Sequence, residues 1–227
     1  MAKKWYIQWI ISESKKKLID ELLGLGIFEI GEFELKHHEK KPTVLKSPFK
    51  INLRTGEQGG PLIPDAIKAI AAEMFELIKK KRLKFDLVVG VPRAGEPFAK
   101  IISQLSNKPL LKLKKEVLGN KRRITNVCEG EFSPGQIVLV IDDVITWGDS
   151  KREAIVALEK VGLRVSDLIV GVDRMQGGIE ELEKSGWQVH YIFSLIIILS
   201  RCFAIGRISQ QKYDEILAYI ETSKVAH

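Results

Sequence analysis

The chain has 227 residues, 45% hydrophobic and 29% charged, a balance that supports one large buried core and excludes a disordered or fibrous chain. Thirty-six basic against 29 acidic residues leave a formal charge of +7, which suits an anionic partner, nucleic acid or a small phosphorylated molecule, without choosing between them. The most apolar run, residues 192–199, falls far short of the ~20 residues of a membrane span, so no membrane segment is expected.

In chain order, SKKKLIDELLGL (14–25) reads as a short amphipathic helix stopped by Gly24 and Gly26. IFEIGEFEL and TVLKSPFKINLR follow as short strands around a His-Lys-rich turn. His37 and His38 there are exposed turn residues, because no third metal ligand accompanies them. RTGEQGGPLIP is a loop punctuated by glycine and proline. PDAIKAIAAEMFELIKK is a helix with Pro64 near its start and apolar residues at Ile67, Ile70, Ala71, Met74, Phe75 and Ile78.

From residue 85 the character changes. FDLVVGVPRAG is a buried strand breaking into a Gly/Pro turn, EPFAKIISQLS a helix, KPLLKL and IVLVIDD strands, and DSKREAIVALEKVG a helix ending at Gly162. VSDLIVGVDR and WQVHYIFSL are two more strands with GIEELEKSG as a short helix between them, and the last strand passes into a helix through IFSLIIIL. Strands that are continuous apolar runs alternating with helices indicate an α/β fold with a mostly parallel central sheet covered on both faces. Cys128 and Cys202 lie far apart without metal-ligand spacing, and the basic N-terminus lacks a small-residue cleavage site; both fit a reduced cytoplasmic compartment.

Ligands of such a sheet bind beyond the carboxyl ends of its strands. Three strand ends carry polar, turn-forming sequence: residues 91–95 (VPRAG), Asp142-Asp143 with the loop to Ser150, and Asp173-Arg174 with the QGG that follows. The middle one leads from a strand through Thr146, Gly148 and Ser150 into a helix N-terminus, a place that offers backbone N–H groups, hydroxyls and the positive helix dipole to a phosphate. The two aspartates would repel that phosphate if they pointed into the loop, so they suit sugar hydroxyls, a divalent cation, or both. Taken alone, an acidic pair after a strand is equally compatible with a plain turn. No G-x-x-x-x-G-K-[ST] and no G-x-G-x-x-G after a strand is present, which disfavours a nucleoside triphosphatase and a dinucleotide fold.

VLVIDDVIT with the following Gly148 and Ser150 resembles the phosphoribosyl-pyrophosphate (PRPP) motif of the type I phosphoribosyltransferases. GEFELK, SPFKINLR, LKKE and VDRMQGG, in that order, narrow the resemblance to the orotate phosphoribosyltransferases, over nearly the whole chain from about residue 16. The resemblance implies a type I phosphoribosyltransferase-like core over 61–227 and a small N-terminal hood over 1–60 that covers the base. It implies transfer of phosphoribose from PRPP to orotate in pyrimidine biosynthesis, with Mg²⁺ on the pyrophosphate and Asp142 or Asp143 as a further ligand. PRPP contacts would come from Arg93, Asp142, Asp143, Thr146, Gly148 and Ser150, and base contacts from Lys36, Phe49, Thr146 and Arg174. Phe49 reads equally well as a core aromatic.

Residues 112–123 (KLKKEVLGNKRR) are strongly basic with one acid, Glu116. A solvated surface is the ordinary reading of such a run. In the resembled family it is a flexible loop whose cations meet the departing pyrophosphate, often across a homodimer. Lys114, Lys115 and Lys121 are its catalytic candidates, alongside Asp142 and Asp143. Nucleic acid is disfavoured, since no aromatic interleaving or nucleic-acid motif accompanies the charges. The chain departs from the family pattern at Leu118, where a second loop lysine is expected and Lys121 is a shifted substitute, and at Trp147 and Asp149 beside the phosphate loop. Those departures keep open a PRPP-binding regulator or sensor of the same fold with weak or no turnover; a transferase for another nucleobase is a further alternative.

Overall fold

The computed structural model describes residues 11–34, 45–118 and 121–225. Helix α1 (Glu13–Gly24) is capped by Ser12, whose hydroxyl accepts the Lys15 N–H, and buries Leu18, Ile19, Leu22 and Leu23. Strands β1 (Phe28–Phe33) and β2 (Ser47–Ile51) form an antiparallel pair, with Ile30 opposite Phe49. Helix α2 (Pro64–Lys81) has proline at its first position and three lysines in its last turn, matching the helix dipole at its basic end.

The central sheet has the order β5-β4-β3-β6-β7-β8. Strands β3 (Leu87–Gly90), β4 (Leu110–Leu118), β6 (Ile137–Ile145), β7 (Arg164–Asp173) and β8 (Gln188–Ser194) run parallel, and β5 (Lys121–Glu129) adds antiparallel to β4 at the edge. Apolar residues on both strand faces explain the unbroken hydrophobic runs. Val88, Leu139, Ile141 and Ile169 face one core, which contains α1, α2, α3 (Glu96–Ser106), α6 (Leu195–Ala204) and α7 (Gln210–Val225). Leu87, Val89, Val138, Val140, Leu168 and Val170 face the other, against α4 (Asp149–Lys160) and α5 (Gly178–Lys184).

The N-terminal elements share the first of these cores. Leu18, Ile19, Leu22 and Leu23 of α1 and Phe49 of β2 belong to it, and a two-pronged Arg201–Asp20 pair, both bonds 2.6 Å, ties α6 to α1. The basic stretch at 112–123 differs most from expectation. It is not an irregular loop: β4 continues to Leu118 and pairs with β5, the ladder closing at Leu118 opposite Lys121. The physical reason is two-residue alternation beneath the lysines, with Leu111 and Leu113 buried while Lys112 and Lys114 are exposed. Gly119 and Asn120 lie outside the described residues.

Candidate active site

Strands β3, β6 and β7 are neighbours, so the three polar strand ends meet as the sequence leads one to expect. They open on a cleft of about 660 Å³ lined by residues from all three and from the N-terminal strands.

The central wall is the end of β6. Asp142 and Asp143 lie inside the strand, and β6 runs on to Ile145, opposite Asp173 of β7. Gly148 then adopts a left-handed conformation (φ 86°) at the cap of α4, a turn that disfavours any side chain. Thr146 and Ser150 line the cleft, and the first-turn amides of α4 have no acceptors within the helix. The loop after β7 holds this turn from behind: the Arg174 N–H donates to the Ile145 carbonyl and the Gly178 N–H to the Thr146 carbonyl, both at 3.0 Å. A Cβ on Gly178 would stand 2.6 Å from the Thr146 oxygen, so the close approach requires glycine there. Neither Trp147 nor Asp149 lines the cleft. Asp149 is exposed at the first position of α4, where a carboxylate complements the helix dipole.

The two acids differ in surroundings. Asp142 is buried, its Oδ2 2.6 Å from the ammonium of Lys151 and its Oδ1 accepting the Asp143 N–H at 2.9 Å. Lys151, also buried, donates to the Val144 carbonyl as well. Asp143 is half-buried; its Oδ1 accepts the Val144 N–H at 2.6 Å. Burial, and next the Asp142 charge, push its carboxyl up to about 7, against the opposing pull of Lys151 and Arg54. Sequence reasoning missed Lys151. The signal was there: Lys151, Ala154, Ile155 and Leu158 follow helical spacing, so a lysine occupies the buried stripe of α4.

The turn after β3 forms the second wall. Gly95 is pressed against β6, where a Cβ would stand 2.2 Å from the Ile141 carbonyl oxygen. Arg93 is exposed at the rim, follows a cis peptide with Pro92, and its carbonyl accepts Gln58 Nε2 at 2.9 Å. Lys115 reaches over from β4 to the Pro92 carbonyl at 3.4 Å and lines the cleft. Lys114, one residue away, points to the other side and pairs with Glu129 at 3.1 Å, so it is not on this cleft. The side chains of Leu118 and Lys121 lie outside the described residues, as does Lys36.

Arg174 forms the third wall, beside the N-terminal strands. Its guanidinium is buried, donates from Nη2 to Ser47 Oγ at 2.9 Å, and stacks over the Phe49 ring at 4.3 Å. Burial lowers its pKa to about 10, which leaves it charged at neutral pH. Among the described residues, Arg174 Nε has no hydrogen-bond partner, an unmet donor that suits an anionic acceptor. Phe49 itself is fully buried, packed on Phe28 and edge-on to Tyr219, and does not line the cleft. Its place is beneath Arg174, where no base can stack on it. Phe33, Lys50, Asn52 and Arg54, unassigned from sequence, do line the cleft.

Among the described residues, no group of three or more His, Cys, Asp or Glu side chains could hold a metal ion. The arrangement suits a multiply anionic ligand: an acid for hydroxyls in the middle, cations at either end, and a helix N-terminus for a phosphate.

Residues 60–190 match the phosphoribosyl transferase domain. An orotate phosphoribosyltransferase of Caenorhabditis elegans is 32% identical over 203 residues, covering 88% of this chain and 83% of that protein. One from Pyrobaculum islandicum is 30% identical over 206 residues, covering 89% and 97%. Among solved structures, the UMP synthase of Leishmania donovani superposes with a TM-score of 0.77 at 28% identity, covering 92% of this chain and 42% of that longer one.

Proposed function

For a chain that belongs to the phosphoribosyl transferase family and to its orotate phosphoribosyltransferases, we infer the reaction PRPP plus orotate to orotidine 5′-monophosphate plus pyrophosphate. The observation that carries this reading is one cleft holding both the acid-and-phosphate end of β6 and the buried guanidinium of Arg174.

The roles of the side chains follow from their positions. Thr146, Ser150 and the first-turn amides of α4 take the 5′-phosphate. Asp143 accepts hydrogen bonds from ribosyl hydroxyls. Arg93 and Lys115 supply cations to the pyrophosphate, and Arg174 offers its unmet Nε donor to the orotate carboxylate. As the bond from C1 to the pyrophosphate oxygen breaks and the bond from C1 to the base nitrogen forms, positive charge grows on the sugar and negative charge on the leaving group. Fixed cations at one end and a carboxylate under the sugar stabilise both. With Asp142 buried against Lys151, Asp143 is the carboxylate that would help hold a Mg²⁺ ion brought in with the substrate, which would supply positive charge to the leaving group.

A homodimer, carried over from the family resemblance, and a cytoplasmic location, suggested by the cysteine spacing and the N-terminal sequence, complete the proposal; sedimentation as a 25.6 kDa species would refute the dimer. Trp147 and Asp149 are not among the residues lining the cleft, which weakens two motives for the sensor alternative. The test is to incubate the protein with Mg²⁺–PRPP and, separately, orotate, uracil, adenine and hypoxanthine. Nucleotide from orotate alone supports the reading. Nucleotide from another base, with none from orotate, overturns it.

A further inference from the structure

Two adjacent carboxylates facing an anionic substrate pose a problem that the fold has to solve. A second negative charge a few ångström from PRPP would weaken its binding, and a buried unpaired carboxylate would weaken the fold. Here the solution is a side chain outside the acid-and-hydroxyl motif. Lys151 occupies the buried stripe of α4, where the helix spacing otherwise places Ala154, Ile155 and Leu158. Its ammonium sits 2.6 Å from Asp142 Oδ2 and also donates to the Val144 carbonyl, the link between the acid pair and the phosphate loop. The other oxygen of Asp142 accepts the Asp143 N–H. Both oxygens of Asp142 are therefore committed to the protein. Of the four carboxylate oxygens in the pair, Oδ2 of Asp143 is the one with no partner among the described residues.

We propose that Lys151 is a positioning residue that holds Asp142 inward as a neutralised strut and leaves Asp143 as the single carboxylate available to the ribosyl hydroxyls of PRPP. This rests on the transferase reading and refines it by giving the two aspartates different work. With Asp143 ionised, the pair with its lysine carries one net negative charge. Removing the lysine alone makes that two, and removing lysine and Asp142 charge together restores it to one.

The test measures Mg²⁺–PRPP affinity by calorimetry for the wild type, Lys151→Met, Asp143→Asn and the double variant Asp142→Asn/Lys151→Met, with melting curves for each. Lys151→Met should weaken PRPP binding at least about tenfold, the scale of one added charge at an effective dielectric of about 20. The double variant should recover much of that loss, and should bind PRPP at least about tenfold more tightly than Asp143→Asn, as expected for keeping one charge-assisted hydrogen bond. Its orotate KM should stay near the wild-type value while any residual defect appears in the KM for PRPP. Because the double variant buries no unpaired charge, its comparison with Asp143→Asn stands even if Lys151→Met fails to fold. A double variant that binds no more tightly than Asp143→Asn would make Asp142 a direct sugar ligand and overturn the proposal alone. Wild-type protein that binds no Mg²⁺–PRPP would overturn the transferase reading and this proposal with it.

Discussion

At Asp143, burial and the neighbouring Asp142 charge raise the carboxyl to about 7, well above the 3.8 of a free aspartate. The folded chain therefore holds a proton between about pH 4 and 7 that the unfolded chain has already lost, so stability falls as pH rises through that window. Asp173, raised to about 6 by burial, acts in the same direction over a narrower range. Asp143→Asn should flatten the slope of melting temperature against pH across this window and raise the melting temperature on its alkaline side. An unchanged slope would show that the Asp143 carboxyl titrates normally. Arg174 makes a second prediction at this scale. Its guanidinium covers the Phe49 ring while donating to Ser47, a task that a lysine's compact ammonium cannot perform. Arg174→Lys should raise the orotate KM by about tenfold or more, on the scale of one lost charge-assisted contact, with a smaller change in PRPP affinity. Equal losses for both substrates would instead mark Arg174 as a general support of the cleft.

Single residues were also where the sequence was hardest to read. The acid pair, Thr146, Ser150, Arg93 and Arg174 were found because they sit in turn-forming sequence at strand ends, and all six line the cleft. Phe49 was ambiguous because an aromatic in a short strand satisfies a core and a stacking site equally well, and only the position of Arg174 above it decides. Lys151 was hidden by its type, since a lysine in a first helical turn ordinarily points to solvent.

At the scale of elements, the parallel strands and their helices were legible because unbroken apolar runs and 3.6-residue spacing are strong signals. The β4–β5 hairpin was not. Its lysines suggested a loop, while the pattern beneath them, Leu111 and Leu113 in and Lys112 and Lys114 out, belongs to a strand. That alternation has a functional consequence: Lys115 turns to the cleft and Lys114 to Glu129. Lys115→Met should lower kcat/KM for PRPP at least about tenfold more than Lys114→Met, in keeping with the loss of a cation that meets the developing charge. Steady-state kinetics of the two variants check this, and a larger loss for Lys114→Met would mean that the hairpin presents its other face to the substrate.

Across the whole molecule, strand order does most of the positioning. With β3, β6 and β7 adjacent, three turns separated by tens of residues fall on one edge of the sheet. The remaining wall comes from outside the sheet: Lys50, Asn52 and Arg54 from β2 and the residues after it, with α7 packed behind through Tyr219 against Phe49 and Ser223 against Gln176. Helix α7 could not be placed from sequence, because its polar and apolar residues are weakly segregated and its buried contacts depend on strands distant in the chain. The central claim is that this shared cleft transfers phosphoribose to orotate with Asp143 under the sugar. The most direct measurement follows orotidine 5′-monophosphate and pyrophosphate release from orotate and Mg²⁺–PRPP, for the wild type beside Asp143→Asn. Equimolar products from the wild type, dependent on both substrates and lost in a variant that still melts cooperatively, are the predicted result. No nucleotide from folded wild-type protein, or undiminished turnover by Asp143→Asn, would contradict it.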